Sequence, residues 1–172
     1  TTIQWDGAAG EPMLRTNGFR ESRLERLAWD GGGKAGICIH HAWDGKAGHG
    51  STGIQHTDEI FRNAAYGIRA GVDGRMVSET AVRRCRFLNL AKAGVTLDTG
   101  NVLNWWFRHC AFGNCTIGIQ ANFGGFFVRE CFFTGSRDCD LVITQSCVFA
   151  ARDNVSIGSR AFLNTRDGAA HW

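Results

Sequence analysis

Several things are scarce in these 172 residues. There is one proline, Pro12, and one tyrosine, Tyr66. No apolar run approaches the roughly 20 residues that a membrane-crossing helix needs, which excludes a helical span. Lys and Arg total 19 against 16 Asp and Glu, a net charge of only +3, and they form no block. A dedicated nucleic-acid binder carries a concentrated basic face, so nucleic acid is not the expected partner. The seven cysteines contain no Cys-x-x-Cys pair, which removes a zinc knuckle.

What is abundant is glycine, at 23 residues, with a hydrophobic fraction of 44%. That is too apolar for a disordered chain. Many glycines and almost no proline suit an all-β protein whose turns need positive φ.

The cysteines fall in a repeat. Val82-Arg-Arg-Cys-Arg-Phe87, Phe107-Arg-His-Cys-Ala-Phe112 and Val128-Arg-Glu-Cys-Phe-Phe133 align residue by residue. Ala151-Arg-Asp-Asn-Val-Ser156 keeps the Arg and puts Asn154 in the Cys column, and Leu24-Glu-Arg-Leu-Ala-Trp29 keeps the apolar ends. Each segment precedes a short apolar strand beginning at Ile37, Ile68, Val95, Ile119 or Leu141, which cuts the chain into units of 31, 27, 24, 22 and 22 residues. A less clear unit occupies 13–36.

Units of this length predict an all-β, single-stranded right-handed parallel β-helix, a solenoid of about six coils of 22–31 residues. Residues 1–172 then form one such domain. A sandwich or propeller is the competing all-β reading, since five Asp-Gly pairs could serve hairpins. In the β-helix, Trp29, Phe61, Phe87, Phe112 and Phe133 stack inside. The cysteines sit at a bend as buried reduced thiols, because parallel side chains in a ladder give poor bridge geometry. Arg83, Arg108, Arg129 and Arg152 form an outward, solvated ladder. No cap helix is evident at either end, so a longer solenoid, neighbouring domains or homo-oligomerisation is expected to cover the ends.

A β-helix interior is filled, so chemistry belongs on an outer groove. The two longest units insert His41–Gly53 and Gly71–Thr80 at equivalent places. Alternation along the strands suggests outward columns Cys38, Arg69, Thr96, Gln120, Val142 and His40, Gly71, Asp98, Asn122, Thr144. His40 and Asp98 would then flank a gap at Gly71. The candidate catalytic residues are Asp44, Asp73, Asp98 and His40; Asp30 is a weaker carboxylate. Trp43, Arg69, His41, Gln120 and Asn122 are the candidate substrate-binding residues. Two of the carboxylates could hydrolyse a glycosidic bond, with no cofactor. Alternatively His40 or His41 could act as the base of an elimination, with Arg69, or Ca²⁺ held by the Asp residues, at the substrate carboxylate. His56 and Glu59 fall near core columns and read as structural.

Over about 13–162 these columns resemble the pectate-lyase-like superfamily of right-handed parallel β-helices. The opening Thr2-Ile-Gln-Trp-Asp-Gly-Ala-Ala-Gly10 and Leu24–Lys34 are similar to the first coils of the branch related to glycoside hydrolase family 28. The resemblance implies the fold and the cleavage or binding of acidic polysaccharide. The polygalacturonase set of Asn-x-Asp, Asp-Asp, His-Gly and Arg-x-Lys is not present in that arrangement, and with Pro12 alone there is no Arg-x-Pro-x-x-Arg stretch. No catalytic residue is therefore carried over. The expected function is that of a carbohydrate-active protein, hydrolase ahead of lyase, secreted or on a cell surface. The alternative is a non-catalytic polysaccharide-binding or assembly module of tailspike or adhesin type.

Overall fold

A computed structural model of the chain describes residues 1–46, 50–71 and 75–166. It is a right-handed parallel β-solenoid of about six turns, and all its strand pairings are parallel. Among the described residues no helix is long and apolar enough to cross a membrane.

Three sheets run along the solenoid. The phenylalanine sheet stacks strands such as Ala28–Asp30, Ile60–Arg62, Arg86–Leu88, Ala111–Gly113 and Phe132–Thr134. The arginine sheet stacks Gln55–Thr57, Thr80–Arg83, Trp105–Arg108, Gly124–Arg129 and Cys147–Arg152. The third sheet stacks Pro12–Asn17, Ile37–Ala42, Tyr66–Ala70, Ala93–Leu97, Ile117–Ala121 and Cys139–Ile143. Within it Leu14, Ile39, Ile68, Val95, Ile119, Leu141 and Leu163 are in register, so successive turns take 25, 29, 27, 24, 22 and 22 residues. The two longest turns carry the expected insertions, and these meet: Ser51–Thr52 pairs with Val77–Ser78 in a small extra sheet.

Sharp corners give each turn its shape. Arg26, Asp58, Arg84, His109, Glu130 and Asp153 all hold φ between 44° and 57°, and so do Asn63, Asn89 and Asn114 at the next corner, where Gly135 and Gly158 continue the column. One left-handed residue per corner turns the chain without a loop, and at Asn63, Asn89 and Asn114 a short polar side chain tolerates the strain best.

The interior follows from column chemistry. Phe61, Phe87, Phe112 and Phe133 stack with centroids 4.7–4.8 Å apart and rings within 11° of parallel. That separation matches the strand repeat of about 4.8 Å, so the rings stack as closely as the backbones do. Room for them comes from Gly94 and its neighbours in that column. A Cβ at Gly94 would lie 2.6 Å from the Gly118 carbonyl and 2.7 Å from the Phe112 ring.

All seven cysteines are buried and unbridged. Cys85, Cys110 and Cys131 direct their thiols 3.4 Å to carbonyls two residues back, and Asn154 ends the ladder by accepting the Cys131 N–H at 2.9 Å. Burial pushes the thiols of Cys38 to about 12 and of Cys115 and Cys147 to about 11. Because all seven thiols are buried, the native protein at pH 8 is expected to react with a disulfide reagent at none of them within minutes, and at all seven in denaturant. A rapid native burst in an absorbance assay would contradict this packing.

Candidate functional site

The third sheet carries most of the expected groove residues, but its register differs from simple alternation. His40 pairs with Arg69, and Arg69 with Thr96, Gln120 and Val142 in turn. His40 thus stands in the Arg69 column, not beside Gly71 and Asp98, and Cys38 is wholly buried instead of facing out. The cause is local: Cys38 and Ile39 both turn inward, Cys38 taking the place that Gly67, Gly94 and Gly118 hold in later turns. The first long turn accordingly starts at Ile39 and takes 29 residues instead of 31. Nor is Gly71 an opening. A Cβ there would run into Val102 and Thr99, which fill the space from the following loop.

Five groove residues are brought together. Asp98 accepts from Arg69 Nε at 2.7 Å and from Asn122 Nδ2 at 3.0 Å. Asn122 Oδ1 in turn accepts from Gln120 Nε2 at 2.9 Å and from the Thr144 hydroxyl at 2.8 Å. Arg69 also lies over the Tyr66 ring, 5.3 Å from its centroid, and Lys92 approaches the same ring at 5.4 Å. The result is a half-buried polar ladder across four turns.

Asp44 and Trp43 are placed elsewhere, past the end of the strand. The Asp44 N–H donates to Asn17 Oδ1 at 2.9 Å, and its carboxylate accepts the Lys46 N–H at 2.8 Å. Trp43 is half-buried near Gly18. Asp30 is on the phenylalanine sheet, bound by Arg62 and Asn63 at 2.9 and 3.0 Å. Asp73 lies outside the described residues, as does His49. Among the described residues no three His, Cys, Asp or Glu side chains cluster as a metal site.

His41 points into the core and is fully buried, so it cannot line an outer groove. It belongs to a hydrogen-bonded chain through the second turn. Thr16 Oγ1 lies 3.2 Å from His41 Nδ1, His41 Nε2 lies 2.8 Å from His56 Nε2, and His56 Nδ1 lies 2.6 Å from Glu59 Oε2. Trp29 Nε1 donates to Glu59 Oε1 at 2.8 Å. One proton arrangement satisfies every atom. Glu59 accepts from Trp29 and from His56 Nδ1–H, His41 Nε2–H donates to His56, and the Thr16 hydroxyl donates to His41. The structural reading of His56 and Glu59 thus extends to His41.

A second outer feature lies on the arginine sheet, where the ladder Arg83, Arg108, Arg129 and Arg152 is in register and exposed. The column before it by two residues reads Gln55, Ala81, Trp106, Phe127 and Ala150. Only the arginine column stood out in the sequence. The aromatic one covers two turns between alanines and shows no periodicity. No protein-family model and no curated protein matches this chain.

Proposed function

We propose that this solenoid is a non-catalytic polysaccharide-recognition module of the pectate-lyase-like type, holding a glycan chain against the outer face of the third sheet. The observation that carries the reading is the ladder of Arg69, Asp98, Gln120, Asn122 and Thr144. Guanidinium, carboxylate, amides and hydroxyl lie in fixed geometry across four turns, with donors and acceptors left over for sugar hydroxyls. The ladder speaks for binding ahead of hydrolysis because both oxygens of Asp98 are occupied.

The test is a panel of acidic and neutral polysaccharides, scored for binding, for new reducing ends and for the ultraviolet absorbance of unsaturated uronates. Binding without either product is expected, and Asn122→Ala should weaken it by about tenfold, the equivalent of one well-placed polar contact. Reducing ends that disappear in Asp98→Asn would replace this reading with hydrolysis. Absorbance that disappears in Arg69→Gln would replace it with elimination. Binding to no member of the panel would end the carbohydrate reading.

A further inference from the structure

We infer that the arginine sheet carries a second ligand face, specific for an acidic glycan whose carboxylates or sulfates pair with the arginine ladder while its sugar rings lie on Trp106 and Phe127. This goes beyond the third-sheet reading and does not depend on it.

The argument begins with the two adjoining columns. Trp106 and Phe127 stack on each other at 6.3 Å with planes 14° apart, so each covers one face of the other. Their outer faces are left open, because the next residues in the column are Ala81 beyond Trp106 and Ala150 beyond Phe127. Small side chains next to large rings leave clefts. One, of about 270 Å³, lies between Trp106, Arg83 and Arg108. The other, of about 260 Å³, is lined by both rings, Trp106 and Phe127, with Ala150, Arg108, Arg129 and Arg152. Each thus combines a half-buried aromatic ring with at least two guanidinium groups.

The charges are available for a ligand. Among the described residues, Arg129 pairs with Glu130 at 3.3 Å and with Asp153 at 3.7 Å. Among the described residues no ion pair engages Arg83, Arg108 or Arg152. At the neighbouring corner Arg84 is held by Asp58, and His109 by Glu130. Four arginines about 4.8 Å apart repel one another, and an anionic chain laid along the solenoid axis relieves that repulsion. Guanidinium matches carboxylate and sulfate with two parallel hydrogen bonds, and an indole face takes the C–H face of a sugar ring. Neither the charge nor the aromatic pair alone chooses a glycan; together they ask for rings and anions on one chain. A nucleic-acid strand also offers both, but a strand-binding surface sets successive aromatics apart for successive bases, whereas here the two rings cover each other.

The experiment titrates an oligogalacturonate and heparin against the whole protein at several salt concentrations, with neutral galactan and an oligodeoxythymidine strand as controls. All substitutions lie on the outer surface, and circular dichroism checks that they fold. Arg108→Gln should weaken binding of the acidic glycans by about tenfold and flatten the salt dependence by about one charge. Trp106→Ala should weaken it by a similar factor of about ten with the salt slope unchanged, because stacking releases no counterions. Arg108→Lys should keep the slope and lose part of the affinity. The inference is overturned if oligodeoxythymidine binds as tightly as the glycans, or if Trp106→Ala has no effect, since either leaves only a general basic strip. It is also overturned if acidic-glycan binding is lost in Asn122→Ala and kept in Arg108→Gln. That result would place the ligand on the third sheet and leave the earlier proposal standing.

Discussion

The Glu59→Ala variant is expected to lose about 3–5 kcal/mol of folding stability, the usual cost of removing one partner from a buried polar network. Glu59 is the acceptor on which the interior chain ends. Without it the Trp29 N–H and the His56 Nδ1–H are stranded in a layer where neither reaches solvent. Glu59→Gln keeps the shape but offers a single acceptor to two donors, so about 1–3 kcal/mol is expected. A control separates the network from the space it fills. The solenoid already shows what an apolar layer looks like, since the His41, His56 and Glu59 columns continue as Ala70, Val82 and Cys85. The triple variant His41→Ala, His56→Val, Glu59→Cys leaves the Trp29 N–H without its acceptor, as Glu59→Ala already does, and frees the Thr16 hydroxyl, but it removes both buried imidazoles and so strands no ring N–H of a histidine. It should therefore be more stable in urea than Glu59→Ala alone, and a triple variant weaker than the single one would contradict the assignment.

The same layer sets a pH dependence. Burial, with smaller contributions from His56 and His40, holds the His41 imidazole well below its usual value of 6.5. The folded state therefore keeps His41 neutral where the unfolded chain protonates it. This contribution is complete above about pH 6.5 and declines as the pH falls below it. A urea midpoint that drops between pH 7.5 and pH 5, and drops less in the triple variant, is the expected outcome.

The sequence shows some columns and hides others. The Phe, Cys and Arg columns were legible because Arg-x-Cys-x-Phe recurs around single-residue corners that never change length, so equivalent residues keep a constant spacing. The third-sheet register was misread by two residues at one strand. Strict alternation places Cys38 and His40 on the same face, but the strand turns two successive residues inward, which a period-two reading cannot represent. The signal was present: Gly67-Ile-Arg, Gly94-Val-Thr and Gly118-Ile-Gln align with Cys38-Ile-His, once Cys38 is seen to occupy the small-residue column. The pairing of Arg69 with Asp98 follows from that register. The Thr16–His41–His56–Glu59–Trp29 chain does not, because its members come from three different sheets and meet only in the interior.

Phe87→Ala is expected to match the Glu59 loss, at about 3–5 kcal/mol, and to change the character of unfolding as well. Phe87 lies between Phe61 at 4.8 Å and Phe112 at 4.7 Å and is fully buried, so its removal leaves a void with a ring on each side. Collapse of that void is resisted because backbone spacing fixes where the two flanking rings sit. In a solenoid each turn touches only its neighbours, and the coupling between adjacent turns is what makes the array unfold as one unit. A cavity at Phe87 weakens the link between the turns before it and those after it. The urea transition should then broaden or separate into two steps, with the apparent m-value falling. Phe133→Ala provides the comparison. Its ring stacks on Phe112 on one side, but on the other the column gives way to Ser156, and Phe162 meets it edge-on at 6.1 Å. The phenylalanine stack gives way to Ser156 there, so the transition should move to lower urea while keeping its slope. Equal broadening in both variants would mean that cooperativity does not pass through the phenylalanine stack, and the hydrogen-bonded ladders of the three sheets would then be its carriers.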